Sequence, residues 1–85
     1  MVNIEECRKL LQSNNPRENS AALVNLMMQK VFDEEFVEEA LKMRERQDIV
    51  MFGTPLGLIA DAYLYKAGVL SEVENPFSLE LANQC

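Results

Sequence analysis

Ile4, Cys7, Leu10 and Leu11 recur at the spacing of one helical face, and the run opens on Asn3 followed three residues later by Glu6. A short polar side chain placed there can accept a hydrogen bond from the first turn, so the pattern predicts a short amphipathic helix capped by Asn3. Ser13-Asn14-Asn15-Pro16 ends it, because proline has no N–H and disfavours a helical residue before it. A second helix is expected from Asn19 or Ser20, either of which can cap. It carries Leu23, Val24, Leu26, Met27, Met28 and Val31 toward Phe32 over more than half of its circumference, which predicts a central position or a partner.

Asp33 can cap a third helix over 34–47, with Phe36, Val37, Ala40 and Leu41 as its apolar edge and Met43 to one side. Glu34, Glu35, Glu38 and Glu39 fill its first turns, and Lys42, Arg44 and Arg46 its last. The gradient follows the helix dipole, which favours acids at the amino end and bases at the carboxyl end. Ile49-Val50-Met51-Phe52 is too short to classify by period, and is either a strand-like connection or an extra helical turn. Gly53-Thr54-Pro55 is the sharpest boundary. Thr54 is placed to cap, Pro55 suits the first helical position, and Gly68 suits the left-handed residue past the end of a fourth helix over 55–67.

That fourth helix shows Leu56, Ile59, Ala60 and Tyr63 on one side and Leu58, Ala62 and Tyr65 on another, with Asp61 and Lys66 its only charges. It is therefore expected to be the central helix, with Gly57 and Ala60 permitting close approach of a neighbour. Beyond Gly68, Asn75-Pro76 marks a turn. Phe77, Leu79 and Leu81 fit either a short helix from near Ser78 or an extended docking tail. The fold expected is all-α: a small compact bundle or orthogonal array of about four helices with an irregular or short-helical tail. A single domain spans 1–85, frayed at 1–2 and 83–85.

Composition narrows the chemistry. The 85 residues carry a net charge of −6 and no histidine. The charge opposes binding to nucleic-acid phosphates or an anionic membrane surface, and the missing imidazole removes the commonest general base and zinc ligand. Two cysteines, Cys7 and Cys85, do not make the staple framework of a small secreted domain. Cys7 reads as a small apolar residue on a helix face. The amino-terminal ten residues lack the basic-then-apolar order of a signal peptide, and the longest apolar stretch, 56–70, is broken by Asp61 and Lys66. The expected compartment is cytoplasmic.

Three motifs bear on chemistry. Gly53-Thr54-Pro55-Leu56-Gly57 lacks the spacing and the lysine of a phosphate loop, and its residues serve helix initiation. Met27, Met28, Met43 and Met51, with Phe32 and Phe52, are either fillers of an irregular core or the lining of an adaptable groove. Glu34-Glu35-Phe36-Val37-Glu38 and Glu45-Arg46-Gln47-Asp48 have the i, i+3 carboxylates used to hold Mg²⁺. Placed on one helix, Glu35 and Asp48 would stand about 20 Å apart, too far to share an ion. No cofactor or metal site is assigned.

The favoured reading is a non-enzymatic acidic helical protein that binds another protein, as an inhibitor, immunity-type or adaptor module, through Glu34, Glu35, Glu38 and Glu39. The partner would carry a basic surface. Helices two and four display more apolar surface than so short a chain easily hides, so a homodimer is also expected. The alternative is a Mg²⁺-dependent carboxylate enzyme of nucleotide pyrophosphatase type, assembled across a dimer.

Overall fold

The computed structural model describes residues 3–50 and 53–85. Among them stand five helices: α1 (Ile4–Gln12), α2 (Pro16–Gln29), α3 (Glu34–Met43), α4 (Leu56–Lys66) and α5 (Pro76–Gln84). The described chain is all-α, its one extended pairing being an isolated bridge between Ile49 and Pro55. The segment left open between a helix and a docking tail is helical. It starts at Pro76 because the Asn75 side chain accepts from the Phe77 N–H at 2.8 Å. Ser78, where the helix is expected to begin, is its third residue and is buried, and its hydroxyl donates to the Leu58 carbonyl at 2.8 Å and ties α5 to α4.

α4 is the hub. It packs against α2, α3 and α5, while α1 packs against α2. Leu56, Ile59, Ala60, Ala62, Tyr63 and Leu64 are all fully buried, as an element apolar on nearly every side requires. Tyr63 satisfies its buried hydroxyl by donating to the Val31 carbonyl at 2.8 Å, and its ring meets that of Phe32 at 5.4 Å between centroids. Burial, and secondarily the charge of Asp33, holds the Tyr63 phenol well above its ordinary pKa.

The start of α2 differs from the sequence expectation. Pro16 both ends α1 and occupies the first turn of α2, with Asn15 as the cap, its side chain accepting from the Arg17 N–H at 2.9 Å. Asn19 is thereby free for another task. Buried inside α2, it donates to the carbonyls of Leu10 at 2.7 Å, Ser13 at 3.1 Å and Leu11 at 3.3 Å. Carbonyls at the end of α1 that have no partner within their own helix are satisfied across the interface.

α3 stops at Met43, four residues earlier than the periodicity indicates. The carbonyls of Arg46 and Asp48, which a longer helix would have used or exposed, accept from Gly57 N–H at 3.0 Å and Leu56 N–H at 2.8 Å. They cap the amino end of α4. Pro55 takes the cap position and Thr54 lies one residue outside, so the expected Thr54 side-chain cap gives way to main chain from the preceding segment. The approach is close: a Cβ on Gly57 would stand 2.2 Å from the Arg44 carbonyl oxygen. Ile49 and Val50 form the strand-like connection, Ile49 bridging to Pro55 and the Val50 N–H donating to Thr54 at 2.8 Å; Met51 and Phe52 lie outside the described residues. Gly68, at φ +84°, closes α4 as its position suggests.

Gly57→Ala is expected to lower stability in urea melts by at least about 2 kcal/mol, because rigid main chain must move to admit the methyl. Gly68→Ala meets open space and strains only φ, so its cost is expected near 1 kcal/mol. Equal losses would contradict the close approach at Gly57. Tyr63 sets a pH dependence. Its raised folded-state pKa means the stabilisation is intact below the unfolded value of about 10 and is lost as pH climbs through the folded one. Between about pH 10 and 12 the native chain should lose stability more steeply than Tyr63→Phe, measured by denaturant melts at stepped pH.

Candidate functional site

The acidic face of α3 follows from what the helix buries. Phe36, Ala40 and Met43 turn into the core at i, i+4 and i+7, which leaves Glu34, Glu35 and Glu38 exposed and Glu39 half-buried. Asp33 stands at the cap position but supplies its backbone. Its carbonyl accepts from Phe36 and Val37 N–H, and no side-chain cap forms.

The four glutamates divide into two kinds. Glu35 accepts from Arg8 Nε at 2.7 Å, and the same guanidinium pairs with Glu5. Arg8 also lies 5.7 Å from the centroid of the Phe36 ring, so one α1 side chain bridges α1 and α3 by charge and by its contact with the aromatic face. Glu39 pairs with Lys42 at 3.3 Å. Glu38 stands four residues before Lys42 but forms no ion pair with it, because Lys42 turns to the carboxylate three residues back. Glu34 and Glu38, one turn apart, form no ion pair among the described residues. A shallow depression of about 220 Å³ lies beside Glu38, bounded by Arg8, Leu11, Gln12, Phe36, Glu35 and Glu39.

The second carboxylate motif does not share this face. Glu45 and Asp48 lie beyond the end of α3, so the 20 Å separation along one helix does not describe them. Asp48 is engaged twice, by its side chain with Arg46 Nε at 2.6 Å and by its backbone with the start of α4. Among the described residues no three Cys, Asp or Glu side chains are grouped to hold a metal ion. Of the methionines, Met27 and Met43 are core residues and Met28 is half exposed. Met51 and Phe52, the remainder of the suggested groove, lie outside the described residues. Cys7 and Cys85 are free thiols. Burial, and after it the charge of Glu6, pushes the Cys7 thiol up, away from the reactive thiolate.

Arg8 is the residue that sequence reasoning missed. Its i, i+3 relation to Glu5 is legible in the chain, but its bond to Glu35 spans two helices and becomes visible only once α1 and α3 are placed. No described helix is long and apolar enough to cross a membrane. Comparison of the chain with protein-family models, with curated proteins and with solved structures finds no match.

A thiol reagent added to the native protein is expected to label the partly exposed Cys85 promptly and Cys7 only at the rate of unfolding. Equal labelling rates would show that α1 does not protect Cys7.

Proposed function

We propose that the protein acts in the cytoplasm without chemistry of its own, binding another protein whose basic surface it covers as an inhibitor, immunity-type or adaptor module. One observation carries the reading. Glu34 and Glu38 repel each other at i, i+4 and have no cation in an ion pair among the described residues, whereas Glu35 and Glu39 are each neutralised from within the chain. Folding gains no ion pair from either, only the modest dipole interaction of Glu34 in the first turn, and their charge is available to steer a basic partner.

The alternative, a Mg²⁺ enzyme assembled across a dimer, has less behind it, since its second carboxylate pair lies off the helix and one of the two, Asp48, is paired with Arg46. The homodimer also has a weaker motive than the sequence implies. Leu23, Leu26, Ile59 and Leu64 on α2 and α4 are fully buried within one copy.

The test uses charge reversal. Glu34→Lys/Glu38→Lys keeps two like charges one turn apart and sets a cation at the amino end of α3, so urea stability should fall by about 1 kcal/mol or less. A partner captured from the native lysate should bind the variant more slowly, and the difference should shrink as salt is raised, because the steering field is screened. An association rate and salt dependence that match the native protein would return these glutamates to ordinary solvated surface. Sedimentation at a mass above 9.7 kDa without any partner would point instead to a second copy of the chain.

A further inference from the structure

A second surface lies apart from the α3 glutamates, in the groove between α4 and the segment 69–76. The groove encloses about 590 Å³, within the roughly 300–1,000 Å³ typical of ligand clefts. Its apolar part comes from Leu58 on α4 and from Leu70 and Val73, all half-buried. Its charged part comes from Asp61, Glu72 and Glu74, together with Arg44 from the end of α3. Arg44 Nε donates to Asp61 at 2.7 Å, so that pair cancels. Glu72 and Glu74 form no ion pair among the described residues, and they leave the groove with two uncompensated negative charges.

The backbone adds a third feature. Residues 71–74 make no backbone hydrogen bond to any described residue, between the Leu70 N–H bonded to Leu64 and the Asn75 carbonyl that accepts from Leu79. Their donors and acceptors are open to a chain laid alongside. We propose that this groove binds a short extended segment of another protein in which basic residues flank an apolar one. The apolar side chain covers Leu58, Leu70 and Val73, and the basic ones meet Glu72 and Glu74. A phosphate-bearing ligand is repelled by the same charge, and a purely apolar segment leaves both glutamates without partners.

The test uses the full chain and a labelled peptide with a central leucine flanked on each side by an arginine and a lysine, followed by fluorescence anisotropy at low salt. Saturable binding is expected. Replacing the peptide leucine by glycine should weaken it several-fold, and Glu72→Gln/Glu74→Gln should weaken it about five- to tenfold while circular dichroism stays native. Glu34→Gln/Glu38→Gln should leave the affinity within about twofold. Absence of saturation up to about 1 mM peptide overturns the proposal. So does an unchanged affinity in the groove variant or with the glycine peptide, or an equal loss in the α3 variant, which would mark diffuse attraction to an acidic protein. Because the α3 glutamates are read by their own variant, failure of the groove leaves the proposed function standing, and the reverse also holds.

Discussion

The main-chain seat between residues 44–48 and the first turn of α4 is the constraint on which the arrangement turns. A helix begins with N–H groups that have no acceptor in their own helix, and in an element as buried as α4 water is poorly placed to serve them. Here the carbonyls of Asp48 and Arg46 accept from Leu56 and Gly57. Backbone can meet backbone this closely because residue 57 carries no side chain: any Cβ would collide with the Arg44 carbonyl. The seat follows directly on the end of α3 at Met43 and lies next to the pair of Arg44 with Asp61.

Around that seat, α4 behaves as a core that happens to be a helix. α2, α3 and α5 cover it, and α1 packs mainly on α2. Polar side chains are used sparingly but decisively at these contacts: Asn19 on the end of α1, Ser78 on Leu58, Tyr63 on Val31, and Lys66 on the Ala82 carbonyl at 3.0 Å. Each satisfies a carbonyl of another segment. The small core is therefore held by a few cross-element hydrogen bonds as well as by apolar burial, and no buried described side-chain nitrogen or oxygen is left without a partner.

Charge is distributed by the same logic. The structural cations are committed: Arg8 to Glu5 and Glu35, Lys42 to Glu39, Arg44 to Asp61, Arg46 to Asp48. Since the acids outnumber the bases by fourteen to eight, some carboxylates must stand alone, and where they stand is informative. Glu34 and Glu38 on α3, and Glu72 and Glu74 beside α4, form no ion pair among the described residues.

Much of this was legible in the chain. The all-α class, the capping of α1 by Asn3, the acidic face of α3, the central place of α4, the need for small residue 57 and the stop at Gly68 all follow from side-chain period, from caps and from the sterics of glycine. These are local properties, carried by residues within a turn or two of each other. What the sequence left open or placed wrongly depends on partners distant along the chain. Asn19 and Ser20 look like caps until α1 arrives to claim Asn19 and Pro16 proves able to open a helix. The periodicity of α3 runs on past Met43, yet the residues beyond it are recruited by α4. Lys42 chooses between two glutamates one residue apart, and Arg8 finds Glu35 twenty-seven positions away. A polar group near a helix end can be satisfied locally or across an interface at similar free energy, so only the packed structure decides which carbonyl, or which carboxylate, it takes.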